Sequence, residues 1–231
     1  MKDKIARFIR NGLKCIYYSA PNKKVERNLY SLEKKPIPFD TLHIPHLGPL
    51  PSIRSKRKHI LVVVDAFTKF TKLYGVNSTS TKEACCALKK YFEYSRPRRI
   101  ISDRGTCFTS KEFDSFLISM NITHVKISVG SPQSNGQVER VNRDLKAMLS
   151  KLSEPIEHSN WVNKLSEVEF AINNSVHCTT GQSPSVMLFG VIQRGVIIDE
   201  LTEYLQESYV NESVDTDKIR QEAAKAIEKS Q

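Results

Sequence analysis

Seven residues constrain the fold more than any others. His59-Ile60-Leu61-Val62-Val63-Val64-Asp65 is β-branched and almost uniformly apolar. A half-exposed strand alternates between apolar and polar residues, whereas a strand without alternation is buried on both faces. The chain therefore needs a sheet covered on two sides. Residues 39–50 supply a second strand, with Leu42, Ile44 and Leu47 apolar and His43 and His46 polar. It stops at Gly48-Pro49-Leu50-Pro51. Pro45 is awkward within it, because proline donates no ladder hydrogen bond. Residues 69–76 read as the hairpin partner of the apolar run.

Helices and strands then alternate. Thr79 or Ser80 caps a helix, with Glu83 in its first turn and Ala84, Leu88, Tyr91 and Phe92 on its apolar face. Pro97 stops it, and residues 99–102 form a short strand. Thr109 or Ser110 caps the next helix, with Phe113, Phe116, Leu117 and Met120 inward. Residues 122–127 alternate as a fifth strand. Val138, Val141, Leu145, Met148 and Leu149 place a helix over residues 134–152. Residues 161–176 form another amphipathic helix, and residues 177–196 read as irregular. The expected fold class is α/β: a mixed five-stranded sheet flanked by helices.

The 231 residues suit one core domain of about 150 residues with flanking segments. Lys34-Lys35-Pro36-Ile37-Pro38 reads as an extended connector, which divides the chain into residues 1–35, a core over 36–196 and an acidic, partly helical segment over 197–231. No apolar run approaches the roughly 20 residues of a membrane span, and no secretory apolar region opens the chain. The expectation is an intracellular protein of nucleus or cytoplasm with no membrane partner. Five cysteines, an odd number, argue against a disulfide framework. Net charge is +10, distributed as +7 over residues 1–35, −5 over 199–231 and +8 between. A basic front and middle suit a polyanion, most simply nucleic acid. A basic surface that serves only solubility is the alternative.

Two carboxylates stand out. Asp103 follows the strand Arg99-Ile100-Ile101-Ser102 and precedes Arg104-Gly105. In open α/β sheets, sites gather at the C-terminal ends of strands. An Asp before Arg-Gly is equally suited to capping a turn. Glu139 lies near the start of its helix, and Asn142, Arg143 and Lys146 share its face by the three/four spacing. It is equally suited to the helix dipole or to a surface pair with Arg143. Together the two acids acquire a chemistry. Phosphodiester transfer uses carboxylates that hold divalent cations, with nearby side-chain cations for the DNA backbone.

Thirty-five residues separate Asp103 from Glu139. That interval resembles the integrase of a Gypsy-type LTR retrotransposon, part of a Pol polyprotein. The resemblance runs from about residue 8 to 195. Ser102-Asp103-Arg104-Gly105-Thr106-Cys107-Phe108 is similar to the second-aspartate motif. Ser131-Pro132-Gln133-Ser134-Asn135-Gly136-Gln137-Val138-Glu139-Arg140 is similar to the glutamate motif. Val62-Val63-Val64-Asp65-Ala66-Phe67-Thr68-Lys69, Gly181-Gln182-Ser183-Pro184 and Leu188-Phe189-Gly190 resemble flanking signatures. The resemblance implies a ribonuclease-H-like fold, Mg²⁺ or Mn²⁺, and 3′-processing and strand transfer of element DNA into target DNA. It implies Asp103 and Glu139 as catalytic metal ligands, and Asn135 and Gly136 on an active-site loop. Asn142, Arg143 and Lys146 would face the DNA end. A homodimer or higher oligomer is also implied.

Two departures qualify it. The family's first catalytic Asp lies three residues before Gly-Pro-Leu-Pro, and that position here is Pro45. Proline offers no metal ligand, so metal binding should be weakened and catalysis impaired, as in a decayed copy. Asp40 is five residues earlier, roughly 17 Å along an extended strand, too far to substitute. Asp65 matches a non-catalytic family position. The second departure is the zinc module. Cys15 matches its last cysteine, Gly12 stands where the other would be, and one thiolate cannot hold Zn²⁺. Residues 1–35 are therefore read as a remnant of that module and no zinc is expected. The sequence predicts an integrase catalytic domain by descent that binds DNA and is catalytically impaired. The alternatives are a non-catalytic, transposon-derived DNA-binding protein and a dimerising scaffold.

Overall fold

A computed structural model describes residues 35–50, 55–127, 145, 161–191, 193 and 215–229. The strands are β1 (Thr41–His43), β2 (His46–Leu47), β3 (His59–Asp65), β4 (Thr71–Val76), β5 (Arg99–Ser102) and β6 (Thr123–Lys126). The helices are α1 (Thr81–Phe92), α2 (Lys111–Ser119), α3 (Trp161–Asn174), α4 (Pro184–Phe189) and α5 (Thr216–Lys229). The six strands form one mixed sheet. β4 lines one edge of β3, and β1 and β2 share the other. β5 runs parallel to β1, and β6 parallel to β5.

The sheet has six strands where five are expected, because the segment over residues 39–50 is split. β1 pairs Leu42↔Asp65 and His43↔Val64, and β2 pairs His46↔Leu61 and Leu47↔Ile60. These four pairs belong to one register, so β1 and β2 are one strand interrupted at Ile44 and Pro45. The cause is chemical. Val62 N–H donates to the Pro45 carbonyl at 3.0 Å, but proline has no N–H to return. One bond of an antiparallel pair forms and the other cannot.

β3 explains the two-sided core. Leu61 and Val63 pack with Leu42, Ile44, Leu88, Ile100, Phe108, Phe113 and Leu117, beneath α1 and α2. Ile60, Val62 and Val64 pack on the other face with Leu73, Trp161, Leu165 and Val168 of β4 and α3. Leu145, expected on the apolar side of its helix, is fully buried in that second cluster. Ser80 and Ser110, of the alternatives the sequence offers, cap α1 and α2 by accepting from Glu83 N–H and Phe113 N–H.

Residues 177–196 are not wholly irregular. Ser183 caps α4 by accepting from Val186 N–H, Pro184 occupies its first turn, and Gly190 ends it in the left-handed region. A side chain at Gly190 would also meet Thr216 Cγ2 at 2.5 Å, so α5 depends on that glycine too. Ala223 and Ile227 of α5 pack against Phe67 and Met187, and Arg220 donates to the carbonyls of Met187 and Leu188. The last segment, in which the sequence shows little core-forming pattern, thus docks a helix on the core. Among the described residues no helix is long and apolar enough to cross a membrane.

Candidate active site

Asp103 is the first residue after β5, and the register of the parallel pair decides what stands beside it. Thr41↔Arg99, Leu42↔Ile100 and His43↔Ile101 are partners, and Ile44 N–H continues the ladder to the Ile101 carbonyl at 3.0 Å. Continued for two residues, this register sets position 45 beside position 103, one inter-strand spacing of about 5 Å away. Alternation assigns position 45 to the face that buries Leu145. Pro45 is itself buried. By that continuation the residue level with Asp103 is Pro45, whose ring has no ligand atom.

Asp103 is partly exposed, and its Oδ1 accepts from Gly105 N–H at 2.8 Å. The turn-capping reading of Asp-Arg-Gly is therefore realised. It does not exhaust the carboxylate, since no hydrogen bond reaches Oδ2 among the described residues. Gly105 is required by the approach: a Cβ there would lie 2.9 Å from Asp103 Oδ1. The Asp103 charge is felt by two neighbours. His46 stacks on Phe108 with ring centroids 5.0 Å apart, and its Nδ1 lies 3.7 Å from Cys107 Sγ. Burial lowers the His46 pKa to about 4, although Asp103 draws it upward and His59 adds to the lowering. Burial, reinforced by Asp103, pushes the Cys107 thiol up to about 11, so this cysteine is not a nucleophile at neutral pH.

Neither Asp40 nor Asp65 offers a free carboxylate beside Asp103. The Asp40 carbonyl accepts from Arg98 N–H and Arg99 N–H, which places Asp40 at the start of β5, a full strand from Asp103. Asp65 is fully buried and occupied by Phe39 N–H (3.0 Å), Thr68 N–H (2.8 Å) and the Thr68 hydroxyl (2.6 Å). Among the described residues no three His, Cys, Asp or Glu side chains gather as a metal cluster. Glu139, Asn135, Asn142, Arg143 and Lys146 lie outside the described residues, as do Gly12 and Cys15, on which the zinc expectation rests.

Sequence reasoning missed three residues here. Ser102 Oγ lies 2.8 Å from His124 Nε2 and donates to the Asp103 carbonyl at 2.9 Å. His124 Nδ1 is 2.9 Å from Asp114 Oδ1, and Asp114 Oδ2 accepts from Lys126 Nζ at 2.7 Å. No spacing rule links residues 102, 114 and 124. The alternation of β6 beside the strand that ends at Asp103 is the one available signal.

Comparison with known proteins bears on all of this. Residues 38–132 match the family described as integrase core domain. The Pro-Pol polyprotein of simian foamy virus type 3 is 33% identical over 193 residues, and that of feline foamy virus 36% over 156. The transposon Tf2-3 polyprotein of Schizosaccharomyces pombe is 26% identical over 189 residues. These alignments cover 83%, 67% and 80% of this chain but only 16%, 13% and 14% of those polyproteins. The chain therefore spans about a seventh of the curated relatives it matches. The HTLV-2 integrase catalytic core domain, solved with magnesium in a trimeric form, superposes with a TM-score of 0.51 at 20% identity. The match covers 64% of this chain and 95% of that one. A dimeric form of the same domain gives 0.50. The sheet and its helices are thus the ribonuclease-H-like fold, and the chain carries an integrase core domain of the kind found in retroviral and retrotransposon Pol polyproteins.

Proposed function

We propose that this chain is an integrase catalytic core that retains DNA binding and has lost most of its strand-transfer chemistry at position 45. The observation that supports this reading is the parallel register of β1 and β5, which runs to His43↔Ile101 and, continued for two residues, brings position 45 level with Asp103. Asp103 and Glu139 are the proposed catalytic carboxylates. Asn135, Asn142, Arg143 and Lys146 are the proposed DNA contacts. The group implied by the family is Mg²⁺ or Mn²⁺, and the described donors do not fit it. Asp103 brings a hard oxygen, which such cations prefer. Pro45 brings none, so a cation at this strand end would rest on Asp103 alone among the described residues. Oligomers are supported by the dimeric and trimeric forms of the HTLV-2 domain.

The missing N–H at Pro45 favours the same reading. The sheet provides a carbonyl partner at Val62 for a residue that donates there, and a proline cannot use it. The same observation also supports the second reading, a transposon-derived DNA-binding protein without chemistry. Strand joining measured with Mn²⁺, a processed donor end and target DNA separates them. The unaltered protein should stay at background, and Pro45→Asp should gain roughly a hundredfold or more. Equal rates for the two proteins would overturn the assignment of position 45. Background rates for both, with salt-sensitive DNA binding retained, would establish the second reading.

A further inference from the structure

The outer edge of β4 is closed by α3 over half its length and open over the rest. We propose that the groove along this open edge takes an extended acidic peptide segment of a partner protein, which adds a strand at Leu73 and Gly75. The groove stands apart from Asp103, because β3 and β1 lie between β4 and β5.

Register decides which backbone groups are free. Among the described strands β4 pairs with β3 alone. Asp65 N–H donates to the Phe70 carbonyl at 2.9 Å, so these two residues are a hydrogen-bonded pair. Antiparallel partners alternate between bonded and non-bonded pairs. From Val64↔Thr71 to His59↔Val76, the bonds to β3 are therefore made by Lys72, Tyr74 and Val76. Thr71, Leu73 and Gly75 turn their N–H and C=O groups away from β3. α3 meets the first of them as a strand would. Thr71 N–H donates to Asn173 Oδ1, and Asn173 Nδ2 donates to the Thr71 carbonyl, both at 2.8 Å. Leu73 N–H donates to Glu169 Oε2, also at 2.8 Å. The cover stops there. The Leu73 carbonyl, the Gly75 N–H and the Gly75 carbonyl make no hydrogen bond among the described residues.

The walls and rim specify what lies there. A cavity of about 430 Å³ opens over this edge, walled by Ala87 and Lys90 of α1 and by Val162 and Leu165 of α3. That volume is of ligand size, and apolar walls with a few polar groups are the usual composition of a binding cleft. Two acceptors and a donor spaced along a strand are the pattern that an extended backbone completes. The rim sets the charge. Lys72 is paired with Glu169, and Glu83 accepts from Asn77 Nδ2 at 3.0 Å. Arg57 and Lys90 have no carboxylate partner among the described residues. Lys56, Arg57 and Lys58 form an exposed basic run at the Val76 end, where Lys58 N–H donates to the Val76 carbonyl at 3.1 Å. Carboxylates on the peptide complement these cations. A phosphate backbone would meet the cations too, but it has no N–H for the two carbonyls. The stem of Arg57 leaves the edge clear: its Cδ lies 3.0 Å from where a Gly75 Cβ would stand, on the face of the strand.

The test is fluorescence anisotropy of a labelled acetyl-Glu-Val-Glu-Val-Glu-Val-amide peptide with the full chain, with melting temperature and light scattering followed in parallel. The peptide should bind, and its counterpart with lysine for glutamate should bind roughly tenfold or more weakly. N-methylation of every peptide amide removes the donors, keeps the charge and should weaken binding roughly tenfold or more. Gly75→Pro deletes an N–H that faces away from β3, which an edge strand tolerates, and should weaken binding roughly fivefold. Gly75→Ala keeps that N–H and should stay within about twofold. Arg57→Glu with Lys90→Glu should weaken binding roughly tenfold. Equal affinity of the methylated peptide overturns strand addition, and equal affinity of the lysine peptide overturns the acidic partner. Should Gly75→Pro fail to fold, the methylated peptide decides. Absence of binding at about 1 mM peptide also overturns the proposal. In that case, a dimer that dissociates on charge reversal would assign the groove to a second copy of this chain, and weakened duplex DNA binding would assign the rim to phosphate.

Discussion

At one end of β1, the Asp65 carboxylate is enclosed and its oxygens are engaged by Phe39 N–H, Thr68 N–H and the Thr68 hydroxyl. Burial raises its pKa against those bonds and the nearby Lys69. Past the other end of β1, Asp103 is partly exposed and, among the described residues, accepts one amide. Both residues close apolar strands of the same sheet. Asp65 serves the hairpin between β3 and β4, and its two oxygens together already accept three hydrogen bonds. Asp103 is held by one amide among the described residues, and none of these reaches its Oδ2. Two carboxylates at the ends of apolar strands thus differ in how many donors their described neighbours supply, and not in their place on a strand.

Three measurements can break or sharpen that contrast. Asp65→Ala leaves two buried amides and a hydroxyl without their acceptor, which should cost about 4 kcal/mol of stability in urea unfolding. A loss below about 1 kcal/mol would make the two aspartates equivalent. The second concerns pH at the Asp103 end. The folded-state pKa of His46, about 4, lies below its ordinary 6.5. On acidification the unfolded chain therefore takes a proton that the folded chain refuses. The contribution is complete above about pH 6.5 and declines toward pH 4, by up to about 3 kcal/mol. His46→Phe should flatten that part of the stability profile, and an unchanged profile would show that His46 is not the group responsible. The smallest effect belongs to Asp103→Ala, which forfeits one turn-capping bond and should lower stability by about 1 kcal/mol or less in a thermal melt. A loss as large as that of Asp65→Ala would mean that Asp103 is a structural residue.

Much of the fold is legible because its signals are local. The unbroken apolar run of β3 announces cover on both faces, and Ser80 and Ser110 announce helix starts. Leu145 lies inward as helical spacing requires. α4 is missed because six residues are too few for periodicity, although Ser183, Pro184 and Gly190 mark its ends. The site is legible only in part. Asp65 and Asp103 each follow an apolar run, and nothing local reveals that Phe39, 26 residues away, occupies one of them. The alignment of β1 with β5, which brings position 45 toward Asp103, is a matter of sheet register, and the Ser102–His124–Asp114 contacts join three separate elements. Such placements arise when the chain closes on itself, and no window of sequence contains them.

The interruption between β1 and β2 has a consequence for how this chain would fare in a cell. Proline at position 45 forfeits one ladder bond, a net loss of about 1 kcal/mol, while the pairs on either side keep their register. Small domains hold a margin of roughly 5–15 kcal/mol, so the loss falls within what folding tolerates. Chaperones and proteases respond to the unfolded fraction, and they have little here to recognise. The lost ladder bond is silent to quality control: a chain with proline at this position persists as a well-formed protein.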